Sequence, residues 1–423
     1  MRSDADMKWL KVYVDAQTGI LTLIAGQLVQ VVDYTSHASY NAVPLPNTTP
    51  LSGFRTVFNP ASIAASPSGW NSNGVNTYQT TQGNNINAAI GTNRGTSDSL
   101  FNFKSNWNPL ESPSSPANQQ ASLVHVFYLL NTVHDIMYQF GFTPKAGNFQ
   151  VNNFGKGGLG NDAVIVNGQS SSGTNNANFA TPPDGQSGVM NMFLWTLTSP
   201  GRDGSLDSVI PIHEYTHGIS NRLTGGPSNV ACLQTLEAAG LGEGWSDAVA
   251  VYLTRQSTDT RNTNVPLGWY VIGGSPTGNG IRRFPYSTNM QTNPLVFSWL
   301  QTDTEIHRMG EIWSTMLYEL FWNLVDQIGF TTNWLDATQV KGNIVALQIV
   351  IGGMMMQPCN PTFTDARDAI LQAELNFYRG QYQCAIWRAF AKRGLGTDSV
   401  QSGWKNGYKV PLTCAPNFVA RPQ

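Results

Sequence analysis

The spacing of apolar residues changes character near residue 208. Before it, apolar positions come in short runs broken by polar ones; after it, they recur every three to four residues over long stretches. Residues 9–16 and 21–34 alternate around Asp15-Ala16-Gln17-Thr18-Gly19, which predicts a β-hairpin. Residues 41–120, rich in Pro, Ser, Asn, Gly and Thr, predict irregular β structure and long loops. One helix interrupts this half: over 121–140, Leu123, Val126, Phe127, Leu130, Val133 and Met137 fall on one side. Strands return over 149–198, with 164–166 and 190–196 the clearest. Helices are then predicted over 209–223, 236–255, 303–328, 334–356, 363–378 and 382–393. There is no internal repeat. The chain has 423 residues, enough for two lobes. An α+β fold follows, a β-rich half and then an α-helical half. Helix 209–223 lies at their junction, where a cleft is expected.

That helix carries His213-Glu214-Tyr215-Thr216-His217, an H-E-x-x-H pattern. One helical turn separates the two histidines, so both rings project from one face and can grip a single Zn²⁺. Glu214 lies a third of a turn away, within reach of a water beside that metal. The plain alternative is two surface histidines on an ordinary helix. A catalytic zinc usually takes three protein ligands and keeps one open position. Gly242-Glu243-Gly244-Trp245-Ser246-Asp247 offers the third ligand: Glu243 and Asp247 sit i, i+4 on an Ala- and Val-rich helix. Glu243 is expected on the metal, with Asp247 accepting a hydrogen bond from a ligand imidazole and fixing its tautomer. Glu237 is the alternative third ligand. His307 opens the helix over 303–328 and is a candidate donor to the oxyanion of a tetrahedral intermediate.

Composition narrows the setting. Charged residues make up only 12% and the net charge is −2, which excludes a nucleic-acid surface and a polybasic membrane anchor. Polarity comes instead from Asn, Gln, Ser, Thr and 41 Gly, as suits an extracellular protein. The run over 20–32 is too short and too polar to span a bilayer. The N-terminus, Met1-Arg2-Ser3-Asp4-Ala5-Asp6, has no signal-peptide pattern, so a secretion signal is expected to have been removed or omitted. Asn47-Thr48-Thr49 is an N-glycosylation sequon in a Pro-rich loop. Four cysteines, Cys232, Cys359, Cys384 and Cys414, suit two disulfides with three possible connectivities. Cys359 and Cys384 flank one predicted helix and are the first-choice pair. None forms C-x-x-C, which disfavours a cysteine zinc site.

Residues 213–226, HEYTHGISNRLTGG, followed by GEGWSD at 242–247, resemble the fungalysins, secreted fungal zinc endopeptidases distantly similar to thermolysin. The likeness extends upstream through GNFQVNN at 147–153 and GTNNANFATPPDG at 173–185. Downstream it extends through QPCNPTF at 357–363 and RGLG at 393–396, covering nearly the whole chain from about residue 32. The resemblance implies a two-lobed, thermolysin-like fold with zinc on His213, His217 and Glu243, and Glu214 as general base. Asn176 and Ala177 would lie on an edge strand that pairs with substrate backbone. Arg282 would hold a substrate carbonyl, with the adjacent Arg283 equally able, and His307 would be the oxyanion donor. The thermolysin tyrosine nine residues before the zinc glutamate is replaced here by Gln234, so oxyanion stabilisation leans more on His307. Pro211 is tolerated only in a helix's first turn, which puts the helix start at about 207–209 with Asp207 or Ser208 as N-cap. The family is made with a long inhibitory and folding-assisting propeptide. Residues 1–37 look like its last piece, 38–224 form the β-rich lobe with the zinc helix, and 225–423 form the helical lobe.

The chemistry expected is hydrolysis of internal peptide bonds of proteins and peptides. Glu214 takes a proton from the attacking water and delivers it to the leaving amine. Pairing of substrate with an edge strand implies endoproteolysis, and the resemblance adds a preference for a hydrophobic residue after the cut. A secreted monomer is expected, with no nucleic-acid or membrane partner. A structural Ca²⁺ has no specific signal. Three rivals remain: a zinc aminopeptidase, which needs an acidic anchor of the G-x-M-E-N type that is not found; a non-catalytic zinc-binding module; and a latent precursor.

Overall fold

The computed structural model describes residues 38–415, together with the backbone of four short strands before them. Val12–Val14 pairs antiparallel with Leu21–Leu23, the centre of the expected hairpin; its turn and positions 24–34 lie outside the described residues.

Two small sheets sandwich the first long helix. One has strands β1 (Ser39–Ala42), β2 (Arg55–Phe58) and β4 (Asn102–Phe103) in the order β2-β1-β4. The other contains β3 (Ile86–Ala89), β5 (Val164–Asn167), β6 (Ala177–Ala180) and β7 (Val189–Met192), in the order β6-β7-β5-β3. β6 is antiparallel to β7, the other pairs are parallel, and β6 is therefore an edge strand. Val164 and Val166 point into the core while Ile165 between them is exposed, the period of two that a half-covered sheet requires. Helix α1 (Pro116–Gln139) starts five residues earlier than its apolar stripe suggests. Ser115 caps it by accepting from the Asn118 N–H, and Pro116 occupies the first helical position, where its missing N–H is not needed.

The remaining helices are α2 (Val209–Leu223), α3 (Leu236–Leu253), α4 (Ile306–Ile328), α5 (Gly342–Met356), α6 (Phe363–Tyr378) and α7 (Gln383–Lys392). α2 and α6 match the predicted spans. α6 is delimited by a capping box in which Thr362 and Asp365 satisfy each other's backbone N–H. α2 begins at Val209 behind Ser208, so Pro211 falls in its first turn, where an N–H has no intrahelical partner. The expected helix over 334–356 begins only at Gly342. Its first part is a loop because Asn333 and Asp336 accept from the backbone N–H of Leu335 and Thr338, which competes with helix hydrogen bonding. α5 is apolar all round and lies in the core. Among the described residues no helix is long and apolar enough to cross a membrane.

The expected Cys359–Cys384 pair is not formed. Cys232 bonds Cys359, and Cys384 bonds Cys414. The 16 residues of α6 separate Cys359 from Cys384 by roughly 24 Å of helix. The loop after α5 instead lies against the one before α3, where the Asn360 N–H donates to the Cys232 carbonyl at 2.8 Å and the Asn360 Oδ1 accepts from Gln234 and Thr235.

α3 and α4 cross at glycines. A Cβ on Gly310 would sit 2.5 Å from the Glu243 Cβ and 2.9 Å from the Gly244 backbone nitrogen; one on Gly244 would sit 2.8 Å from the Gly310 carbonyl oxygen. This close approach sets Glu243 of α3 beside the start of α4. Gly310→Ala gains about 1 kcal/mol of helix propensity but overpacks the crossing at a cost of about 1–3 kcal/mol. The expected result is a lower denaturation midpoint together with weaker metal retention, read by chemical denaturation and metal analysis; a variant as stable and as metal-replete as the parent would show the crossing to be loose.

Candidate active site

α2 brings His213 and His217 to one face, with their Nε2 atoms 3.1 Å apart. α3 brings Glu243 opposite: Oε2 lies 3.2 Å from His213 Nε2, and Oε1 lies 3.6 Å from His217 Nε2. The three ligand atoms fall within 4.8 Å of one another, and among the described residues this is the one such cluster. Two features suit a cation. Two ring nitrogens face each other at hydrogen-bond distance, an arrangement a shared metal satisfies. Glu243 Oε2 is buried and makes no hydrogen bond, a cost that coordination removes. Two imidazoles and a carboxylate form a donor set that suits a tetrahedral N/O metal with an open vertex.

The surroundings orient this set. His213 Nδ1 donates to Asp247 Oδ1 at 2.7 Å, which directs Nε2 toward the cluster. Asp247 also accepts from Arg282 Nε and Nη2, both at 2.8 Å, and from the Tyr286 hydroxyl. Burial disfavours the Asp247 carboxylate, but Arg282 and His213 outweigh it and hold its pKa well below the usual range. Burial likewise opposes charge on His213, yet the Asp247 and Glu243 carboxylates raise it to about 10. His217 is pushed down to about 4 by burial, against the pull of the Glu243 carboxylate. Burial would raise Glu243, but His217 and His213 hold it down to about 2. Glu214 is raised to about 7 by burial, with His213 pulling the other way.

His307 stands at the opposite wall, its Nε2 3.5 Å from Glu243 Oε2. Glu305, which caps α4 by accepting from the His307 and Arg308 N–H groups, also takes His307 Nδ1 at 2.6 Å. One carboxylate therefore starts the helix and aims the ring. His213, Glu214, His217, Glu243, Arg282 and His307 line one cleft of about 380 Å³, walled by β6 (Asn176 to Phe179), Trp195, Val209, Ile210, Leu267 and Ile281.

Residues 39–399 match the family model described as "Fungalysin metallopeptidase (M36)". The chain belongs to the fungalysin family. It is 46% identical over 415 residues to "Extracellular metalloproteinase MEP" of Pyricularia oryzae, covering 94% of this chain and 64% of that protein. It is 47% identical to "Extracellular metalloproteinase 1" of Arthroderma gypseum, over 94% of this chain and 63% of the relative, and 45% identical to "Extracellular metalloproteinase MEP" of Neosartorya fischeri, over 95% and 64%. The chain thus spans a little under two thirds of the length of these curated relatives.

In this fungalysin the structure brings together Glu214, His213, His217, Glu243, His307, Asn176, Ala177 and Arg282 on the cleft, with Asp247 behind His213. It separates the candidates that sequence left open. Glu237 turns away, accepting from Gln401, Trp404 and the Phe363 N–H. Arg283 is engaged by Glu311 and Asp303, so Arg282 is the arginine at the cleft, and its Nε and Nη2 are committed to Asp247. Gln234 is exposed and its backbone is tied to Asn360. Sequence reasoning missed Tyr286, four residues after Arg282, and the apolar wall of Trp195, Leu267 and Ile281. Tyr286, Leu267 and Ile281 come from loops and Trp195 from a short strand, where apolar residues look like ordinary core, and only the proximity of Tyr286 to Arg282 is a signal.

Proposed function

We propose that this fungalysin is a secreted, zinc-dependent endopeptidase that hydrolyses internal peptide bonds of proteins. The observation that carries this reading is the convergence of His213, His217 and Glu243 with Glu214 and His307 on one cleft beside an edge strand. His213, His217 and Glu243 would hold the ion, and Asp247 orients His213. Zinc, when bound, supplies Lewis acidity, lowering the pKa of water from about 15.7 toward 7 and polarising the scissile carbonyl. Glu214, buried at the cleft wall, accepts the proton of the attacking water and returns it to the leaving nitrogen. His307 Nε2, on the ring aimed by Glu305, donates to the developing oxyanion. The edge strand at Asn176 and Ala177 offers its backbone to an extended substrate, and Arg282 offers its remaining N–H groups to a substrate carbonyl. The apolar wall of Ile210, Leu267 and Ile281 suits a hydrophobic side chain after the cut. Names of the relatives support an extracellular setting.

This reading places residues 38–224 and 225–423 as two thermolysin-like lobes with α2 at the cleft, and residues 1–37 as the end of a propeptide that holds the enzyme as a zymogen. A monomer and a glycan on Asn47 complete it. Its test is metal analysis of the purified protein alongside cleavage of a blocked internal peptide. One zinc per chain and cleavage abolished by chelator and restored by zinc are expected. Hydrolysis confined to free N-termini would make the enzyme an aminopeptidase; a zinc-replete protein that cleaves neither substrate would be a binding module or a latent precursor.

A further inference from the structure

Nine residues after His213 on the same helix, Arg222 is completely buried, a costly place for a guanidinium unless every N–H is met. Here all five are. Nε donates to the Pro182 carbonyl at 3.2 Å, and Nη2 donates to the Pro183 and Gln186 carbonyls at 3.1 and 2.8 Å. Nη1 donates to the Gly147 carbonyl and to Asp162 Oδ2, both at 2.6 Å. The guanidinium also lies over the Phe149 ring, 3.8 Å from its centroid, and Phe149 packs edge-on against Phe179 of β6. Three of the five acceptors belong to residues 182–186, the segment that leaves β6 immediately after Ala180. A second tie runs parallel to the first: Asn221 Nδ2 donates to the His217 carbonyl at 2.8 Å and to Thr181 Oγ1 at 3.4 Å. Gly218 leaves no room for slack between them, since a Cβ there would meet the Phe149 and Phe179 rings at 2.7 and 2.9 Å.

β6 is an edge strand, joined to the sheet by β7 alone. Its distance from the two histidines is therefore not fixed by the sheet. It is fixed by what links its end to α2, and the densest link is Arg222. We propose that Arg222 is a positioning residue: by gripping the carbonyls of Pro182, Pro183 and Gln186 from the helix that bears His213 and His217, it sets the register of the substrate-pairing edge strand against the catalytic centre. The inference rests on the endopeptidase reading. A purely structural arginine would affect all substrates alike. A positioning one acts on those long enough to lie along β6.

The test compares the full chain with Arg222→Lys, which keeps the charge but cannot reach five acceptors. Two blocked peptides are used, one with a single residue on each side of the cut and one with four. The parent is expected to prefer the long peptide. In Arg222→Lys that preference in kcat/KM should fall by about tenfold or more through KM, with kcat on the short peptide and the zinc content little changed. Hydrogen exchange should speed up over residues 177–186 and not over 209–217. An unchanged length preference, or equal losses on both peptides, overturns the proposal. If Arg222→Lys does not fold, Asp162→Asn, which lies off the cleft and removes the charged acceptor, is read the same way. Failure of both to fold assigns Arg222 to global stability and also overturns it. A parent that cleaves neither peptide sinks the endopeptidase reading instead; the clamp is then judged on exchange alone, where no local change at 177–186 refutes it.

Discussion

Replacing Glu214 by glutamine is expected to lower peptide hydrolysis by about 10²–10⁴-fold, the usual contribution of a positioned proton carrier, while leaving the fold and the metal in place. The substitution keeps the shape and removes the one property the role demands. Glu214 is only 6% exposed and lines the cleft beside His213 and His217. Burial already pushes its carboxylate up to about 7, so a neutral amide is not a foreign state at this position. Stability should therefore change little, and zinc, held by the neighbouring His213, His217 and Glu243, should remain. Measuring kcat, bound zinc and thermal midpoint on one preparation separates these effects. Hydrolysis within tenfold of the parent, with zinc retained, would show that the proton is carried by another group.

The second large effect belongs to a residue that touches neither substrate nor metal. Asp247 is fully buried and accepts from Arg282 twice, from His213 and from Tyr286. Asp247→Asn keeps one acceptor oxygen but leaves the Arg282 guanidinium, itself only 9% exposed, without its counter-charge. Removing one member of a buried ion pair costs about 3–5 kcal/mol, because the remaining charge stays out of water. The amide can also present an N–H to His213 Nδ1, which would favour the wrong tautomer and turn the lone pair away from the metal; loss of such an orienting partner lowers metal affinity by about 10–100-fold. The two consequences have different readouts, a chemical denaturation midpoint and a zinc dissociation constant from chelator competition. Adding Arg282→Met to Asp247→Asn should restore much of the stability and none of the zinc affinity, since the stranded charge is gone while His213 still lacks its carboxylate. A single Asp247→Asn variant with parental stability and zinc affinity would mean that the network is not what orients His213.

The elements that the sequence pattern located well are those whose signals are local. α2 and α6 carry their own start signals, a proline confined to the first turn in one and a capping box in the other, and both have the spans that periodicity predicts. Apolar spacing alone starts α5 too early because Asn333 and Asp336 capture backbone N–H groups, a competition that such spacing does not register. The pairing of Cys232 with Cys359 depends on two loops 127 residues apart in sequence lying side by side, and nothing local to either cysteine says so.

The same division runs through the site. Two imidazoles on one face with a carboxylate next to the first follow from 3.6 residues per turn, so the His213-Glu214-His217 arrangement was written in five consecutive positions. Choosing Glu243 over Glu237 and Arg282 over Arg283, and setting His307 3.5 Å from Glu243, required α3 and α4 to close over Gly244 and Gly310. Those distances are sums over long loops and packed helices, and a chain's local preferences do not fix such sums; only the packing of the whole molecule does.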